Sequence, residues 1–166
     1  MDKYYYLASQ LPMLRFEEKT GVTRDWLLSE AEKWLDSSSF SALSRFGLDD
    51  FYPAKKDRIV IKKYKKFEES LRTELMLLRQ AKKSGQEFKP NFIPYRLIKD
   101  LNPLQVEKNL LRFRWDYIEE EEREHYSDFT FIVFYCLKVQ ILEKLFSFDK
   151  EKGNNKFQEL CEVNYD

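Results

Sequence analysis

Apolar positions recur along most of this chain at helical spacing. Between residues 55 and 84 no proline or glycine intervenes, and Val60, Tyr64, Phe67, Leu71, Leu75 and Leu78 follow one another at steps of four, three, four, four and three. This spacing places them on one side of a long helix, expected over 55–84. A helix of roughly thirty residues runs about 45 Å, while a compact chain of this size has a radius of gyration of about 15 Å. An elongated molecule is therefore expected.

The most apolar stretch is FTFIVFYCLKVQILEKLF, residues 129–146. Crossing a bilayer takes about twenty mostly apolar residues. This stretch is free of charge only from Phe129 to Leu137, after which Lys138, Gln140, Glu143 and Lys144 appear. At helical period Gln140, Glu143, Lys144 and Ser147 share one side, and Phe131, Tyr135, Val139, Leu142 and Phe146 another. The first half is apolar all round. The pattern predicts a helix over 128–148 whose N-terminal half is surrounded by protein.

The N-terminal YYYLASQLPMLRF predicts a short helix or extended segment stopped near Pro12, because a residue preceding proline leaves the α region. Thr23 reads as the N-cap of a helix through Leu35, with Leu27, Leu28, Ala31, Trp34 and Leu35 on one side. Ser38 or Ser39 then starts a short helix that Gly47 ends. Residues 85–102 carry Pro90 and Pro94 among Phe88, Phe92, Ile93 and Tyr95, and read as a long connection pinned by aromatics. Asn102-Pro103-Leu104-Gln105 is a helix start, with Asn as N-cap and Pro at the first helical position, for a helix to about residue 124. Gly153, Asn154 and Asn155 read as a turn into a last short helix. The expected fold is an all-α, elongated bundle with one long helix and a C-terminal helical subdomain. It forms one domain over 1–166, divisible into 1–84 and 103–166 at the connection.

Charge changes this picture only locally. Lys plus Arg and Asp plus Glu both number 29, so no global charge points to nucleic acid or an anionic membrane. Lys55, Lys56, Arg58, Lys62, Lys63, Lys65 and Lys66 face only Asp57, however, whereas 116–124 holds six acids and only Arg123. A basic end and an acidic end are expected. Two cysteines, Cys136 and Cys161, make no disulfide framework, and the start of the chain does not read as a signal peptide. A cytoplasmic location follows.

Candidate chemistry is sparse. Gly21, Gly47, Gly85 and Gly153 stand far apart, so neither a P-loop nor a dinucleotide fingerprint is present. Glu122 and His125 have the Glu-x-x-His spacing of di-iron bundles, but those sites need two such motifs and His125 is the sole histidine. It reads instead as a helix-end histidine, favourable beside the carbonyl end of the macrodipole. Asp116 and the run Glu119, Glu120, Glu121, Glu122 circle their helix, which suits a solvated face or a docking surface for a basic partner better than the opposed carboxylates of a glycosidase. The basic and aromatic run 58–67 has the composition of a nucleic-acid surface. Tyr64 and Phe67 fall on the apolar stripe, where they cannot stack on bases. The expectation is a protein that is not an enzyme, with no cofactor, no metal and no nucleic-acid partner.

Two blocks, YYYLASQLPMLRF and RWDYIEEEEREHYSDFTFIVFYCLKVQILEKLFSFDKEKG, resemble an uncharacterised family of small proteins encoded within bacterial V-type ATPase (ATP synthase) operons. The resemblance covers about a third of the chain, at its two ends. It implies association with the rotary ATPase, in the place of the helical C/d-type stalk component that couples the central stalk to the membrane ring, and a position peripheral to the inner face of the cell membrane. The chain is far shorter than a complete stalk component of that kind. The family supplies no catalytic residues. Exposed ion pairs contribute only about 0–1 kcal/mol each, so docking needs apolar contacts. Tyr4, Tyr5 and Tyr6, with Phe88, Phe92 and Tyr95 of the connection, are the candidates for these, alongside Glu119, Glu120, Glu121 and Glu122. Two other classes stay open: a helical adaptor for nucleic acid or another protein, and an enzyme whose site is assembled from scattered residues.

The purified protein should show no ATP turnover that survives repurification. Elemental analysis should find neither zinc nor iron in stoichiometric amount.

Overall fold

A computed structural model of the chain describes residues 3–148, 153–155 and 158. Its helices are α1 (Lys3–Gln10), α2 (Arg24–Trp34), α3 (Ser37–Arg45), α4 (Ile59–Ser84), α5 (Pro103–Glu122) and α6 (Phe129–Ser147), with a 3-10 turn at Tyr95–Leu97. No strand occurs among the described residues. The protein is all-α, as its periodicity requires. Among the described residues, no helix is long and apolar enough to cross a membrane.

Local chemistry sets the boundaries. Thr23 caps α2, its hydroxyl accepting from the Trp26 N–H at 3.2 Å, and the chain leaves the helix at Leu35. The cap of α3 is Asp36, not Ser38 or Ser39. The Asp36 carboxylate accepts from the Ser39 N–H at 3.0 Å and the Ser39 hydroxyl at 2.7 Å, and a carboxylate is a better acceptor for the first turn than a serine. Gly47 does not end α3, which stops at Arg45 with Phe46 extended; the Arg24 guanidinium instead reaches the carbonyls of Ser44 at 2.7 Å and Phe46 at 3.3 Å.

The long helix begins at Ile59, four residues later than its apolar spacing suggests. Asp57 is the reason. Its carboxylate accepts from the Ala54 N–H at 2.7 Å while its own N–H donates to the Ala54 carbonyl, closing a turn that competes with the helix. The 26 residues of α4 span about 39 Å. Gly85 ends it at φ 68, a left-handed conformation that glycine adopts without strain, with the Gln86 N–H reaching back to the Ala81 carbonyl. Asn102 caps α5 through the Gln105 N–H at 2.8 Å, and Pro103 opens the helix. The α5 helix closes at Glu122, short of residue 124, because His125 turns the chain towards α6. Gly153, Asn154 and Asn155 are helical where a turn was expected. The last short helix lies outside the described residues except for Gln158, which is helical.

The α6 helix is central and packs against α1, α2, α3, α4 and α5. Every side chain from Ile132 to Val139 is buried. Its polar side is not a solvated stripe. Gln140 accepts from the Leu48 N–H at 2.9 Å, Glu143 accepts from the Arg24 N–H at 2.8 Å, and Lys144 pairs with Glu107 at 3.3 Å. Phe131 is half-buried and packs against the edge of the core, whereas Phe146 is exposed.

The α4 and α5 helices run antiparallel, held apart by long side chains. Lys63 pairs with Glu121, Phe67 stacks on Tyr117 at 3.9 Å, Glu68 binds Arg114, and Leu71 clusters with Leu110. Glu68 is fully buried and takes Nε and Nη2 of Arg114, each at 2.8 Å, together with Nε of Arg72 at 2.8 Å. Beyond it a smaller cluster of Leu71, Ile93 and Leu110 joins the far half of α4 to the connection and the start of α5.

Glu68→Ala strands a charged, buried guanidinium and should cost about 3–5 kcal/mol in urea melts. Replacing both partners, Glu68→Met with Arg114→Met, should recover most of that loss.

Candidate interaction surface

The connection after α4 is held by one carboxylate. Glu74, on the flank of the apolar stripe, accepts from three successive backbone N–H groups: Asn91 at 2.5 Å, Phe92 at 2.9 and 3.0 Å, and Ile93 at 2.6 Å. Burial alone would raise the Glu74 carboxyl, but the hydrogen bonds from Phe92, Ile93 and Asn91 outweigh it and hold the group below its ordinary value. Ile93, fully enclosed beside Leu71 and Leu110, supplies the apolar anchor. An acid and an aliphatic residue therefore pin this segment together with the Phe92 ring, which packs on Phe67 and Phe113. Only the position of Glu74 beside the stripe hints at this role in the sequence.

The aromatics lie near the surface. Phe92 keeps 40% of its area exposed while its ring meets Phe67 and Phe113 edge-on, at 5.5 and 5.8 Å. Tyr95 is 43% exposed. Phe88 is half-buried and, with Leu78, Ala81 and Tyr95, lines a 680 Å³ cavity between the end of α4 and the connection. Lys82, Lys89 and Lys99 also border it, against the acids Glu87 and Asp100. Apolar area and positive charge coincide here, and Met76 and Leu77 lie exposed on the same half of α4.

The other candidate residues lie on different elements. The tyrosine triplet of α1 is divided. Tyr4 turns inward, within hydrogen-bond distance of the Ser39 hydroxyl at 3.3 Å and with its ring 6.2 Å from Phe129. Tyr6 stacks on Trp34 at 5.4 Å, and Tyr5 stands 61% exposed. In the acidic run, Glu119 and Glu120 are exposed, whereas Glu121 pairs with Lys63 and Glu122 with the buried Lys138. The Lys138 ammonium also lies 3.9 Å from Glu119 and 5.2 Å from the Trp115 ring centre. Three of the four, Glu119, Glu121 and Glu122, thus pair within the protein's own fold. The expected separation of a basic end from an acidic end is overturned, because antiparallel packing sets the basic start of α4 against the acidic end of α5.

Tyr64 and Phe67 are buried, as the stripe predicted, so neither ring is free to stack on a base. His125 Nδ1 lies 2.5 Å from Asp128, the N-cap of α6, and ties the two helix ends together. No group of three or more metal-ligating side chains occurs among the described residues. Cys136 is enclosed, and burial pushes its thiol up to about 11.

A family model described as a protein of unknown function, DUF2764, matches residues 91–164, a span that takes in most of the connection, α5 and α6. No curated protein and no solved structure matches the chain.

Because the folded Glu74 carboxyl lies below its ordinary 4.5, its stabilisation is fully present above that pH and is lost as pH falls through the lowered value. Glu74→Gln should therefore cost about 1–2 kcal/mol at pH 7, a figure reduced for solvent access, with the gap to the parent protein closing in acid. Hydrogen exchange should show Asn91, Phe92 and Ile93 losing protection at pH 7, with the α6 amides unchanged.

Proposed function

We propose that this protein is a non-catalytic component of a bacterial V-type rotary ATPase, in the position of the C/d-type component of the central stalk or as an assembly factor, and so acts in ATP-coupled ion transport at the inner face of the membrane. The observation that carries the docking part of this reading is the surface around Phe88, Phe92 and Tyr95. Large apolar side chains stand there at the surface among lysines, on a segment that Glu74 and Ile93 hold rigidly. A preformed surface of this kind binds without first ordering a loop. Its aromatic and cationic composition suits a partner patch with acidic and apolar groups.

The class of partner rests on the resemblance of the N-terminal block and of residues 114–153 to proteins encoded beside V-type ATPase genes. Residues 91–164, matched by the family of unknown function, contain the second block whole. Central packing of α6 supports the same reading, since it leaves the most apolar helix to the protein's own core and the connection to the partner.

Affinity purification of the tagged protein from its native cell at low salt should recover V-type ATPase subunits. Tyr95→Glu, at an exposed position that leaves the core intact, should reduce that recovery by about tenfold, corresponding to roughly 1.4 kcal/mol of binding. Recovering no subunits, while the ATPase itself stays assembled in the same lysate, would sink the assignment.

A further inference from the structure

A second concave site lies on a different flank of α4, away from the aromatic surface. It is a cavity of 330 Å³ whose walls carry Arg72 and Arg79 from α4, Arg114 from α5 and Lys144 from α6, against the carboxylates Asp49 and Glu107. Glu68, behind the wall, takes Arg72 and Arg114. Asp49 is shared between Arg72 at 3.1 Å and Lys144 at 3.7 Å, and Glu107 takes Lys144 at 3.3 Å. Four cations against these three carboxylates leave one positive charge over. Two features locate the surplus. Arg79 has no ion-pair partner among the described residues. The Arg114 side chain is only 7% exposed, and its Nη1, on the edge turned away from Glu68, has no hydrogen-bond acceptor.

We propose that this cavity binds a small soluble phosphate anion, inorganic phosphate or pyrophosphate. Guanidinium groups present planar forks of donors that match phosphate oxygens, and three of them converge here with one ammonium. Entry requires two local movements, the uncovering of Arg114 Nη1, which is buried, and the release of Asp49. The Asp49 side chain is 73% exposed, so it can swing into water and yield its place between Arg72 and Lys144 to the incoming anion. The apolar part of the lining is Leu75 and Leu110, with no aromatic ring to stack a nucleobase. The ligand is therefore the phosphate group itself. The site shares no residue with the proposed docking surface and stands independently of the ATPase reading.

Calorimetric titration of the intact protein with phosphate, and separately with pyrophosphate, tests this at an ionic strength held constant with chloride. Saturable binding of one anion per chain is expected. Arg79→Ala should weaken it about tenfold. Lys83→Ala, exposed on the same helix outside the cavity, should leave it unchanged. Asp49→Asn, which removes the competing carboxylate, should tighten it, an effect that a merely structural role for Asp49 does not produce. The Glu68→Met, Arg114→Met protein, shown by circular dichroism to keep its helices, should bind neither anion. Absence of saturable binding overturns the proposal and leaves a water-filled cavity. Equal weakening by Arg79→Ala and Lys83→Ala also overturns it, because that reports only general charge attraction.

Discussion

A helix that is apolar on every side can be stable in water only if protein covers every side, and α6 imposes that requirement on the rest of the chain. From Ile132 to Val139 no side chain can be left to solvent, so helices must arrive from all directions. The others do so, and α6 touches each of them. The polar groups of α6 then become fasteners instead of a solvated face. Gln140 and Glu143 accept from backbone N–H groups at Leu48 and Arg24, which fixes the loop after α3 and the first turn of α2 against the central helix. Tyr135 does the same for the N-terminal segment by donating to the Pro12 carbonyl at 2.8 Å.

Charge buried beside this apolar centre selects the pairing of helices. Glu68 and Arg114 each lose their hydration, and only the two-point contact between them, with Arg72 added, compensates that loss. A slip of α4 against α5 by one turn would strand both. Lys138, midway along α6, depends in the same way on Glu122 at the end of α5. These pairs contribute little net stability against an apolar equivalent, yet they penalise every other register heavily. Glu68, Arg114 and Lys138, which look like surface charges in the sequence, are therefore part of the interior.

The two proposed binding surfaces both depend on the far half of α4. On one flank the Glu74 carboxylate and Ile93 fix the connection so that Phe92 and Tyr95 remain partly in solvent. On another flank arginines from two helices gather around a cavity. A helix of 26 residues exceeds what α6 can cover, and its excess length is what makes room for both.

By itself the sequence determined the helices. The stripe from Val60 to Leu78, the cap at Thr23, the Asn102-Pro103 start and the unbroken apolar run of α6 are local signals, written within one or two turns of chain, and local backbone chemistry enforces them. Boundaries were less legible where one carboxylate had competing uses, as with Asp57 ahead of α4 and Asp36 ahead of α3. The candidate surface was legible in part, since Phe88, Phe92 and Tyr95 stand out by type, but the anchoring role of Glu74 was not. Tertiary structure alone decided the charge pairs that join different helices. Glu68 and Arg114 lie 46 residues apart and Lys63 and Glu121 lie 58 apart, so no spacing in the chain relates them. Coulomb attraction and desolvation act through space, and only the antiparallel return of α5 along α4 brings those groups into range.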